Sequence, residues 1–188
     1  MDTFFLFLRL GFTHVLDING LDHFYFITAL VLPFRFLDKN KLLLWVSLFT
    51  LGHTLSLVGN YYLGLRFSSF WIELLIPVTI AISCIPLLQS KTPEATWVMT
   101  LTTMGYGPIH GLGFGRYFAM MVPPEDASLS LLSFALGVEM AQLLIVLGVL
   151  SIAFLFSKTQ YLKAFRQITG VVIFIIALSM IVERIGLF

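Results

Sequence analysis

Long apolar runs broken by short polar hinges organise the chain from end to end. Residues 18–37 run into a hinge of Arg35, Asp38, Lys39, Asn40 and Lys41, and residues 42–63 stop at Gly64 and Arg66. Residues 68–88 end at Gln89, Ser90, Lys91, Thr92 and Pro93, and residues 94–122 end at Pro123, Pro124, Glu125 and Asp126, where paired prolines break any helix. Residues 129–156 and 164–187 complete the series. Each run is close to or above the ~20 residues that carry an α-helix across a bilayer. The pattern therefore predicts an all-α, polytopic membrane bundle of about six transmembrane helices, forming one domain over residues 1–188. Residues 4–10 are strongly apolar but too short to span. Lacking the basic start and small-residue cleavage site of a signal peptide, they are expected to form a short interfacial or re-entrant helix.

Composition sharpens this picture. The 188 residues are 59% hydrophobic and 11% charged, with a mean hydropathy of +0.97. A soluble domain is about 45–50% apolar and about 25% charged, so the chain cannot clothe a solvated surface. Six spans with short loops leave no room for a soluble domain. The net charge of +1 excludes a strongly basic nucleic-acid-binding face, and no glycine-rich phosphate loop is present, so neither nucleic acid nor nucleotide is an expected partner. The single cysteine, Cys84, cannot make an internal disulfide or a multi-thiolate metal site and is expected to be a small buried residue.

Orientation follows from the basic residues, which accumulate in cytoplasmic loops. Arg35, Lys39, Lys41, Lys91, Lys158, Lys163 and Arg166 follow spans one, three and five, against Arg66 alone on the other side. Both termini are thus expected outside. Trp45 and Trp97 fit an inner aromatic belt, and Tyr61, Tyr62 and Trp71 an outer one.

Ionisable side chains inside spans are expensive and mark function by default. All four histidines fall there or at a span start: His14, His23, His53 and His110. Asp17, Asp22, Glu73 and Glu139 are the acidic companions. Counting about 1.5 Å of rise per residue places His53, His110, Glu139 and the Asp22–His23 pair toward the outer half of the bilayer. Imidazole with carboxylate is a donor set for a divalent transition metal, whether nickel, cobalt, zinc, copper or iron. No single helix carries two clamping histidines, so several spans must contribute. Any one histidine could instead be an interhelical hydrogen-bond partner. His53, beside Thr50 and Thr54, fits that alternative, while Glu73 could pair with Arg66. Gly107, Gly111 and Gly115 recur every fourth residue as a helix-packing groove, and Pro108 places a helix break beside His110.

At these residues the chain resembles the HupE/UreJ family of bacterial membrane permeases, in its second, shorter branch. The resemblance is carried by G-F-T-H-V-L-D-I-N-G-L-D-H over residues 11–23, F-T-L-G-H-T-L-S-L over 49–57, I-E-L-L-I-P-V-T-I-A-I-S over 72–83, I-H-G-L-G-F over 109–114 and F-A-L-G-V-E-M-A-Q-L over 134–143. It implies nickel or cobalt uptake across the bacterial inner membrane, with His14, Asp22, His23 and Glu139 handling the ion and His53 and His110 as motif histidines. Two departures stand out. Seven residues rather than five separate His14 from Asp22, adding Asp17, and Ala135 replaces an expected asparagine.

The sequence therefore points to a permease rather than an enzyme. Its expected metal residues are His14, Asp17, Asp22, His23, His53, His110 and Glu139. The divalent ion is its substrate and not a prosthetic group, the bilayer is its surrounding, and a homo-oligomer is compatible with all of this. An intramembrane zinc hydrolase built on the same cluster is the alternative. An assembly subunit whose polar residues only pack is the third reading.

Overall fold

A computed structural model describes residues 2–18, 20–89 and 97–186, the side chains of Trp97 and Val98 excepted. Asn19, the hinge residues Ser90, Lys91, Thr92 and Pro93, the Glu94 start of the fourth run, the Leu187 end of the sixth and the Trp97 belt position lie outside the described residues. Among those described, all regular structure is helical: α1 (Thr3–Val15), α2 (Asp22–Val31), α3 (Lys39–Leu63), α4 (Ser69–Ser83), the single turn α5 (Ile85–Leu88), α6 (Trp97–Met121), α7 (Ala127–Phe156) and α8 (Leu162–Arg184). Four segments are long and apolar enough to cross a membrane: Phe36–Leu63, Ser69–Leu88, Pro124–Phe156 and Leu162–Arg184.

Local chemistry sets several of these boundaries. The Asp2 carboxylate accepts from the Phe4 backbone N–H at 3.2 Å and caps α1. Pro33 cannot donate a backbone hydrogen bond, and α2 stops two residues before it. Gly64 ends α3 with φ of +62°, the left-handed conformation that glycine adopts without strain.

The first apolar run is not one continuous helix. Of the residues described between α1 and α2, none is helical, and α2 occupies only Asp22–Val31. The helix before it is present, but it packs lengthwise on α7. The Thr3 hydroxyl donates to Asp126 at 2.8 Å, and a Cβ on Gly11 would collide with the Phe134 carbonyl while one on Gly137 would collide with that of Leu8. Beyond the break, α2 continues away from the Thr3 end. The Phe34 ring packs tilted against Trp45 at 5.1 Å, and Arg166 at the start of α8 donates to the Phe34 carbonyl at 2.8 Å. Together α1 and α2 trace a broken helix from the Asp126 end of the bundle to the Trp45 end.

Helices α3 and α6 lie side by side in the same direction. Trp45 Nε1 donates to Thr100 Oγ1 at 3.2 Å near one end, and Asn60 faces Gly115 near the other. Between them, a Cβ on Gly107 would strike the Phe49 carbonyl and one on Gly111 the His53 carbonyl. The four-residue glycine repeat thus does what its spacing predicts, letting two backbones approach closely. Trp45 is only 2% exposed, packed against α6 rather than standing in an aromatic belt, whereas Tyr62 and Trp71 are exposed as expected. Helix α7 runs antiparallel to α3, with Tyr62 near Ser128 at one end and Ser47 bonded to Glu139 farther along. Glu73 pairs with Arg184 of α8 at 3.0 Å, not with Arg66.

Candidate metal centre

Four helices bring the histidines together. His14 comes from the last turn of α1, His23 from the first turn of α2, His53 from the middle of α3 and His110 from the middle of α6. Their rings are 4.9 Å apart for His14 and His23, 5.5 Å for His23 and His53, and 5.3 Å for His23 and His110. Close packing of α3 on α6 sets His53 near His110, while the break after α1 turns His14 and His23 to face each other across it. Counting from the helix ends at about 1.5 Å per residue, His53 and His110 sit near the middle of the bundle.

The donor atoms form two overlapping sets. His14, His23 and His53 offer three nitrogens within 4.8 Å of one another; Asp22, His23 and His110 offer two nitrogens and a carboxylate oxygen within the same span. His23 belongs to both. Asp22 bridges to His23 Nδ1 at 3.2 Å and lies 3.8 Å from His110 Nδ1.

The hydrogen-bond accounting is uneven in a telling way. His23, His53 and His110 are at most 1% exposed, yet His14 Nε2, His23 Nε2, both nitrogens of His53 and His110 Nδ1 are buried with no hydrogen-bond partner. A buried donor or acceptor without a partner costs about 1–3 kcal/mol. His53 therefore does not serve as an interhelical hydrogen-bond partner. Thr54 bonds the Thr50 carbonyl, and Thr50 is directed to Val46, Glu139 and Gln142. Converging imidazoles with unshared nitrogens, plus one carboxylate, are a fit to a divalent transition metal.

His110 is oriented by a neighbour that sequence reasoning missed. Thr79 of α4 lies 2.9 Å from His110 Nε2 and 2.7 Å from the Ile76 carbonyl. With its hydroxyl hydrogen on that carbonyl it accepts from Nε2, and the His110 Nδ1 lone pair is left facing Asp22. The signal was available: Thr79 sits on the buried stripe of α4 with Ile72, Ile76 and Ile80.

Two expected members stand apart. Glu139 is in neither donor set. Helix α7 presents Phe134 to the cluster, 5.8 Å from His14 and 6.2 Å from His53, and five residues further on the helix has rotated by about 140°. The Glu139 carboxylate instead takes hydrogen bonds from Ser47 at 2.6 Å and from Thr50, nearer the Trp45 end. Asp17 is exposed in the turn after α1 and lines a groove with His14 rather than the cluster itself. Aromatic rings close the cluster on both sides. Phe114 and Phe134 stack at 5.2 Å above His14, and Phe26 and Phe49 stack at 4.8 Å below His110.

A family model described as HupE / UreJ protein matches residues 1–184. No curated protein and no solved structure matches the chain.

Proposed function

The chain belongs to the HupE/UreJ family, and from that premise together with the buried histidine cluster we propose that it is a membrane permease for a divalent transition-metal ion, nickel or cobalt. The observation that carries the reading is the set of partnerless imidazole nitrogens on four different helices, deep inside an apolar bundle. A packing role would leave them paired, since buried polar groups are hydrogen-bonded almost without exception.

The chain makes six crossings in this reading, the first being the broken pair α1 and α2. The end carrying Arg35, Lys39, Lys41, Lys158, Lys163 and Arg166 faces the cytoplasm. An ion arriving from outside meets His14 first, because that ring borders an open groove beside the break after α1. His14, His23 and His53 take it up as a nitrogen set. His23 then hands it to the second set with Asp22 and His110, where the carboxylate offsets charge that burial would otherwise make costly by several kcal/mol. Sharing His23 means that the ion need never be without ligands. Binding in a helix break, where irregular backbone lines a cavity, is the usual arrangement for membrane carriers.

Uptake of nickel and cobalt into proteoliposomes, with zinc, copper and iron as competitors, tests the proposal. Asp22→Ala is expected to abolish uptake while the protein still folds, as is the double change His23→Ala with His53→Ala. Wild-type uptake by either variant would overturn it.

A further inference from the structure

Two open spaces approach the cluster from different sides, and they do not reach it equally. A groove of ≈ 510 Å³ runs along the second half of α1 and the turn after it, with His14 in its wall beside Thr13, Asp17 and, from α6, Tyr117. At the basic end a cavity of ≈ 80 Å³ sits where α2, α4 and α6 diverge, lined by Phe26, Ser83, Met99, Thr102, Thr103 and Tyr106. It has room for more than one water. None of the five residues of the two donor sets lines it. What separates it from them is Phe26, fully buried, its ring 5.2 Å from His110 on one side and 5.8 Å from Tyr106 on the other.

The chemistry of this cavity differs from that of the cluster. Ala29, Leu30, Pro33, Ile82 and Pro86 make most of its wall apolar, and Ser83, Thr102, Thr103 and Tyr106 add a few neutral oxygens and Met99 a thioether, with no fixed charge among them. Such a wall can replace part of a cation's hydration without holding it as a carboxylate and three imidazoles would, which is what a release station requires. Helix α2 is also built to move. It is ten residues long, with non-helical backbone at 16–18, 20 and 21 before it and Pro33 after it, so it can tilt as a rigid piece while α3 and α6 stay locked together. We infer that this cavity is the exit vestibule for the partly hydrated divalent ion, closed in this conformation by Phe26 against Tyr106, and that the cluster is open only toward the His14 groove. This rests on the permease reading above.

Cysteine accessibility tests the inference. Cys84 is the only cysteine and is buried, so a Cys84→Ala protein is a clean background. With a charged, membrane-impermeant methanethiosulfonate and no metal present, Thr102→Cys and Ser83→Cys are each expected to react from the cytoplasmic side at least an order of magnitude faster than from outside. Thr13→Cys should show the reverse. Labelled Thr102→Cys should also lose uptake, and adding Phe26→Leu should let the reagent reach it from outside. Equal reaction from both sides, or unchanged uptake after complete labelling, would overturn the vestibule. Failure of the unlabelled Cys84→Ala protein to transport any of the metals would instead sink the permease reading, because sidedness is measured without transport.

Discussion

The Thr79 hydroxyl stands 2.9 Å from His110 Nε2, holding the ring so that Nδ1 faces Asp22. Outer partners that fix a ligating histidine are typically worth 10–100-fold in metal affinity. Thr79→Val is therefore expected to weaken nickel binding by that factor, while Thr79→Ser, which keeps the acceptor, restores it; titration calorimetry on the detergent-solubilised protein reads both. Loss in both variants alike would assign Thr79 to packing. The same scale shows where sequence reasoning succeeds and stops. His14, Asp22, His23, His53 and His110 were legible because ionisable groups inside apolar runs have few excuses. Glu139 met the same criterion and still lies outside both donor sets. Depth along a helix can be counted from sequence, but the direction around it depends on which face packs, and α7 turns Phe134 rather than Glu139 to the histidines.

At the scale of elements, the glycine repeat on α6 gives the sharpest expectation. A methyl group on Gly111 would overlap both the His53 carbonyl and the Ser56 hydroxyl, so α3 and α6 must separate to admit it. Overpacking of this kind costs about 1–3 kcal/mol, and here it also displaces His53 from His14 and His23. Gly148→Ala is the control, because no atom lies within 4 Å of its added Cβ and alanine favours a helix by about 1 kcal/mol. Thermal unfolding in detergent should fall for Gly111→Ala and hold or rise for Gly148→Ala, with metal affinity reduced only in the former. Equal melting temperatures would mean that the two helices are not locked. The packing period of α6 was readable because small residues at i and i+4 have one use between membrane helices. The break between α1 and α2 was not. Both halves are apolar, and only their separate docking, α1 on α7 and the end of α2 beside Trp45 and Arg166, shows that the short N-terminal helix and the first run follow one another as two halves of a broken helix.

At the scale of the molecule, orientation and chemistry depend on one another. Thr3, Asp126, Glu73 and Arg184 mark one end of the bundle through their mutual contacts, while Arg35, Lys39, Lys158 and Arg166 mark the other. Basic residues stay on the cytoplasmic side, so the first end should be outside and both termini with it. On the permease proposal the asymmetry of the two spaces then acquires a direction, the groove at His14 serving the side from which the ion is collected. Fusing alkaline phosphatase, active only outside the cytoplasm, to the C-terminus should give high activity, whereas fusion after Lys158 should give little. A fluorescent-protein pair at the same two positions should report the opposite pattern. If the C-terminus proved cytoplasmic, the groove at His14 would open inward, the small neutral cavity would become the entrance, and the same ligands would describe a route out of the cell. Charge on the loops, too sparse to solvate a surface, therefore decides between import and export.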